Sequence, residues 1–197
     1  MMVKICGITN LEDALAAVAG GASALGFNFW PRSPRYIAPG RAAEIAGALP
    51  AAVWKAGVFV NEPRAPEIAR EAGLDIVQLH GDETPAAYPA GFRVWKAARV
   101  EAGFDLAAWR DCQAEALLLD GPAGALYGGA GATFDWSIAR TGRKIVLAGG
   151  LDAANVRAAI EQARPWGVDA CSRLESAPGR KDHRRMAAFL AAALGTI

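Results

Sequence analysis

The sequence predicts a single (β/α)8 barrel. Three observations carry this reading: eight short β-rich runs, stretches of helical period between them, and 197 residues without a composition break or linker. Strands that alternate with helices pair in parallel through right-handed crossovers. Eight units of about 25 residues each have room for a strand, a helix and two short connections. Eight is also the number that closes the cylinder, although ~250 residues is the commoner length. An open doubly wound sheet is the competing architecture. It has about five or six strands, and no GxGxxG follows the first run here.

In chain order the strand candidates are Val3–Ile8 (VKICGI), Ala24–Phe29 (ALGFNF), Val53–Val60 (VWKAGVFV) and Asp75–His80 (DIVQLH). They continue with Phe92–Ala98 (FRVWKAA), Glu115–Asp120 (EALLLD), Lys144–Gly149 (KIVLAG) and Gly167–Ser172 (GVDACS). Between them the apolar period switches to that of a helix. Leu11, Ala14, Leu15 and Val18 share one helical face, as do Ala42, Ile45, Ala46 and Leu49. Val156, Ala159, Ile160 and Ala163 form a third such face, and Met186, Phe189, Leu190 and Ala193 a fourth. Thr9 and Glu12 have the spacing of a capping box for the first helix.

An apolar content of 53% predicts a sizeable core. The 21 basic and 20 acidic residues nearly cancel, so no global field recruits nucleic acid or an anionic membrane. Cys6, Cys112 and Cys171 are odd in number and far apart, which fits a reduced protein better than a disulfide framework. Two histidines and no paired-cysteine spacing argue against structural zinc. Strand-forming residues begin at Val3, and no apolar run reaches the ~18 residues of a membrane span. The expectation is a soluble, cytoplasmic protein.

Barrel enzymes place their chemistry at the carboxyl ends of the strands. Those ends carry Cys6, then Arg32 and Arg35 in the loop WPRSPRY, then Gln78 and His80. Further along they carry Asp120, the stretch YGGAGATFDW with Asp135, Gly149-Gly150 and Ser172-Arg173. Glycine after strand 7 and small polar residues after strand 8 suit a phosphate, since a backbone without Cβ can approach an anion closely. The helix after strand 8 adds its amino-terminal dipole in this reading; otherwise Gly149-Gly150 simply turns the chain.

Cys6 has two readings: a small buried apolar residue, or a thiolate base. Lys4, two residues earlier, shares its strand face and would favour the thiolate. Asp135 also has two. Its neighbours Phe134 and Trp136 would desolvate the carboxyl and raise its pKa, making a proton donor. Alternatively it caps a helix start and stays ionised. One of Arg32 and Arg35 can hold a carboxylate bidentately while the other is a solvated charge. His80 is either a ligand-facing donor or a satisfied strand-end histidine.

The segments KICGIT, GFNFWPRSPRYI, GVFVN, QLHGDE, YGGAGATFDW, LAGGLDAANV and VDACSRLESAPGRKD resemble, in order and spacing, those of the phosphoribosylanthranilate isomerase family from Lys4 to Asp182. The resemblance implies a TIM barrel of the ribulose-phosphate-binding type. It also implies a cofactor-free Amadori rearrangement in tryptophan biosynthesis, acting on a small phosphoribosyl substrate. No metal, nucleic-acid, membrane or obligate protein partner is implied. By resemblance Cys6 is the general base and Asp135 the general acid. Arg35 binds the anthranilate carboxylate, and the loops carrying Gly149, Gly150 and Ser172 hold the phosphate.

One departure stands out: Cys171-Ser172-Arg173 occupies the place of the family's Ser-Ser-Gly. The expectation is that the Arg173 guanidinium joins the phosphate contacts. Two other classes compete, a different phosphate-binding barrel enzyme and a non-catalytic ligand-binding barrel. A metal-dependent epimerase would need more histidines and acids at the strand ends, and a histidine-pathway isomerase an aspartate at position 6. The co-occurrence of Cys6 and Asp135 argues against a non-catalytic barrel.

Overall fold

Eight parallel strands close on themselves: β1 Met2–Cys6, β2 Ala24–Asn28, β3 Trp54–Phe59, β4 Ile76–Leu79, β5 Arg93–Arg99, β6 Ala116–Asp120, β7 Ile145–Leu147 and β8 Gly167–Ala170. The structure is a computed structural model that describes residues 1–121 and 134–195. Neighbours in sequence are neighbours in the cylinder, and the β1–β8 pairing seals it. All eight expected strands are present, mostly trimmed by a residue or two where the chain turns toward the carboxyl-end loops.

Period-two alternation divides the core in two. Val3 and Ile5 on β1 point outward into a large apolar layer that includes Phe27, Phe59 and Phe189. Met2 points inward, to a smaller cluster with Ala24, Ala56, Ala116 and Trp95. The alanines make room for the Trp95 indole, which is wholly buried. Its ring meets Trp54 at 6.4 Å and Trp166 at 5.7 Å, both edge-on. Trp54 opens β3 and Trp166 precedes β8, so this cluster plugs the amino-terminal mouth. The other mouth is left for a site.

The helices are α1 Leu11–Ala19, α2 Pro39–Gly47, α3 Ala65–Glu71, α4 Val156–Ala163 and α5 His183–Leu194. Three connections differ from the regular alternation. After β4, β5 and β6 the described residues form only 3-10 turns, Pro85–Ala87, Leu106–Trp109 and Trp136–Ala139. These turns account for a barrel well below the common length. The start of α1 also differs. Asn10, not Thr9, is the cap, its Oδ1 accepting from the Asp13 amide at 2.8 Å. The Thr9 hydroxyl instead donates to the Gly179 carbonyl. Leu15 is exposed, and α1 buries Asp13, Ala14 and Ala17. Among the described residues no helix is long and apolar enough to cross a membrane.

A short antiparallel hairpin, β9 Glu175–Ala177 with β10 Arg180–Lys181, follows β8 and precedes α5. It was not visible as a separate element in the sequence. It carries Glu175 and Lys181 to the rim of the site.

Candidate active site

A cavity opens at the carboxyl ends of the strands. Of the sequence-predicted site residues, Cys6, Arg35, His80, Gly149, Gly150, Ser172 and Arg173 line it. Asp135 does not.

Cys6 ends β1 and sits above a buried ion pair. The Lys4 ammonium, with no solvent exposure, lies 2.9 Å from Asp169 Oδ2 on the neighbouring β8. Register explains the pairing, since Lys4 and Asp169 are Cα partners across the β1–β8 seam. A hydrogen bond from the Cys171 thiol and the nearby Lys4 charge, outweighing burial, hold the Cys6 thiol well below its ordinary pKa. Cys171, the donor in that bond, is pushed up correspondingly. Burial raises Asp169 to about 7 against the pull of Lys4. One ammonium thus faces two acids, the Cys6 thiol and the Asp169 carboxyl.

The loop after β2 brings Arg35 over the site. Its guanidinium grips Glu175 bidentately, Nε to Oε1 at 2.9 Å and Nη2 to Oε2 at 2.8 Å. Lys181 Nζ meets the same carboxylate at 3.1 Å. Although burial opposes it, these cations hold Glu175 below the usual carboxylate range. Gly7 makes the approach possible, because a Cβ there would lie 2.9 Å from both Arg35 Cδ and Cys171 Sγ. Arg32 is the solvated member of the arginine pair, exposed and 5.3 Å from the Trp30 ring centre. His80 Nε2 stands 3.3 Å from Asp120 Oδ2 at the mouth.

After β7 the chain turns through two left-handed glycines, Gly149 (φ +82°) and Gly150 (φ +66°). Gly149 has no substitute here: a Cβ would fall 2.3 Å from the Gly121 amide nitrogen. After β8 a 3-10 turn, Ser172–Leu174, takes the place expected of a helix. The next true helix, α5, has its first amides occupied, since Asp182 accepts from Arg184 N and Arg185 N. Its dipole is therefore satisfied internally. Arg173 reaches the cavity rim and contacts Asp152 Oδ2 at 3.4 Å, a carboxylate that competes with any anion for the guanidinium.

Asp135 behaves as the capping reading describes. Its Oδ1 accepts from the Ser137 amide at 3.0 Å, and that bond holds the exposed carboxyl below its ordinary pKa. The aromatic neighbours do not bury it. It borders a separate shallow depression with Phe104 and Phe134, beside the loop that follows β5, hence still at the carboxyl end of the barrel. The glycine-rich stretch YGGAGAT preceding Phe134 lies outside the described residues.

Sequence reasoning reached the Lys4–Cys6 relation through strand period, but not Asp169, Cys171, Glu175 or Lys181. Asp169 and Cys171 alternate on β8 as Lys4 and Cys6 do on β1, a signal usable once β1 and β8 are known to pair. Glu175 had none, because its partner Arg35 is 140 residues away. Among the described residues no three His, Cys, Asp or Glu side chains gather as a metal ion would require.

Comparison with known proteins agrees with this architecture. The family model described as N-(5'phosphoribosyl)anthranilate (PRA) isomerase matches residues 3–192. An N-(5'-phosphoribosyl)anthranilate isomerase of Solibacter usitatus is 57% identical over 201 residues, covering 100% of this chain and 99% of the relative. The solved phosphoribosyl anthranilate isomerase of Thermotoga maritima superposes with a TM-score of 0.91 at 41% identity, covering 99% of each chain. A second solved isomerase, in complex with reduced 1-(o-carboxyphenylamino)-1-deoxyribulose 5-phosphate, gives 0.88 at 41% identity, again over 99% of each chain. With its closed eight-stranded barrel and its match along nearly the whole length, the chain belongs to the N-(5'-phosphoribosyl)anthranilate isomerase family.

Proposed function

We propose that this chain rearranges N-(5-phosphoribosyl)anthranilate to 1-(2-carboxyphenylamino)-1-deoxyribulose 5-phosphate with Cys6 as general base and Asp135 as general acid. The observation that carries the reading is the Cys6 sulfur at the floor of the cavity, above the Lys4–Asp169 pair and with its pKa held well below that of an ordinary thiol. An acid protonates the furanose oxygen, and the ring opens to a protonated imine. That cation acidifies the C2 hydrogen, which the Cys6 sulfur removes to give an enolamine. Tautomerisation then yields the ketone. The imine is its own electron sink, so the residues need only move protons and hold the sugar.

The Gly149, Gly150 and Ser172 loops cradle the phosphate, with Arg173 exchanging its Asp152 contact for a phosphate oxygen. Arg35 offers the side of its fork not engaged by Glu175 to the anthranilate carboxylate. His80 donates from the opposite wall. To act as acid, Asp135 must leave the Ser137 amide and enter a drier place over the sugar, which raises its pKa. Binding energy from the two anionic ends of the substrate is available for this closure.

A second reading of the acid rests on one observation. Asp169 already lines the cavity, with a pKa of about 7 and Oδ1 buried without a hydrogen-bond partner among the described residues. A carboxyl near the working pH is suited to proton transfer. The two readings separate in a fluorescence assay of phosphoribosylanthranilate consumption. With Asp135 as acid, Asp135→Asn loses ~10²–10⁴-fold in kcat and Asp169→Asn far less. Near-normal turnover of Asp135→Asn, with collapse in Asp169→Asn, establishes the second reading.

A further inference from the structure

We propose that Cys6 and Cys171 form a reversible intramolecular disulfide, a modification site that removes the reactive thiol from service under oxidising conditions. The off-switch rests on the assignment of Cys6 as base; the covalent link does not. Strands β1 and β8 pair in register from Met2↔Gly167 to Ile5↔Ala170, and Cys6 and Cys171 are the next residues on each. Adjacent strands run about 4.8 Å apart, inside the ~4.4–6.8 Å Cα separation a disulfide spans. Two residues back, Lys4 and Asp169 already meet across this seam at 2.9 Å, so side chains of this alternation converge. Cys171 Sγ lies where a Gly7 Cβ would be 2.9 Å away, beside the residue that follows Cys6. Both cysteines border the open cavity, and both are free thiols.

The surroundings supply what the exchange needs. The Cys6 thiolate is the form an oxidant attacks. Cys171 Sγ stands 3.8 Å from Lys181 Nζ and 3.8 Å from Glu175 Oε1, so a cation lies beside the sulfur that attacks. With a peroxide, the Cys6 sulfur displaces hydroxide from the O–O bond and becomes a sulfenic acid. Cys171 sulfur then attacks that sulfur, the S–O bond breaks, and water leaves with the Cys171 proton. The two sulfurs together give up two electrons to one peroxide, which ends as two waters. A dithiol reverses the step by exchange.

The test uses the Cys112→Ser protein, which leaves only the two thiols in question, treated with a diazene oxidant that takes two hydrogens from a thiol pair. The expected result is a mass two hydrogens lower and a linked peptide containing Cys6 and Cys171. Turnover should fall ~10²–10⁴-fold in the linked molecules and return with dithiothreitol. Cys112→Ser/Cys171→Ser, judged against its own untreated sample, should keep its turnover; equal inactivation overturns the proposal. So does a treated protein in which both thiols still alkylate, a result that leaves the base assignment standing. A linked protein with undiminished turnover overturns the off-switch and the base assignment together.

Discussion

Replacing Cys6 with alanine is expected to lower kcat by ~10²–10⁴-fold with KM little changed, the pattern of an interaction made only in the transition state. The sulfur is held by the ends of two strands rather than by a loop, so its removal disturbs little else. In the proposed reading the phosphate and carboxylate are held elsewhere in the cavity, by the residues after β7 and β8 and by Arg35, which line it. A steady-state assay separates the two parameters. A rise in KM at constant kcat would make Cys6 a binding residue, and near-normal turnover would remove it from the mechanism.

Replacing Lys4 with methionine has the second large effect, on both stability and pH dependence. The side chain is fully buried between Asp169 and Cys6. Removing one partner of a buried pair typically costs ~3–5 kcal/mol. Here the lower part of that range applies, because Asp169, already at about 7, can take up a proton and become neutral. Urea unfolding measures this. The catalytic consequence follows from sign: Lys4 helps hold the Cys6 thiol below its ordinary pKa, so its loss moves that pKa upward. A base works only when deprotonated, so the acid limb of the kcat/KM profile shifts to higher pH. Activity at neutral pH falls and recovers in alkali. An unmoved acid limb would mean that the charge of Lys4 does not govern the base.

The barrel was legible because parallel strands buried on both faces read as continuous apolar runs, as in LLLD and KIVLAG. Between β4 and β7 the sequence was a poorer guide. Pro85, Gly103 and Gly142 interrupt the connections there, and the described residues form 3-10 turns rather than helices. Lys4 and Cys6 were legible as a pair because period two is a local property of a strand. The Arg35–Glu175 grip, Asp169 beneath Cys6 and the Cys171 thiol beside it were not, since each depends on which strands adjoin. Asp135 shows the opposite case. Its local surroundings supported two readings, and in this structure the cap prevails: the carboxylate accepts from a backbone amide two residues ahead and stays exposed.

The account stands on the charge state of one sulfur, which alkylation reads directly. In Cys112→Ser protein, the rate of Cys6 modification by iodoacetamide, followed across pH by peptide mass, should be half-maximal well below the ~8.5 of an ordinary thiol. It should move upward when Lys4 is replaced by methionine. A Cys6 that titrates as an ordinary thiol in both proteins would contradict the thiolate above the Lys4–Asp169 pair, and with it the proposed route for the proton.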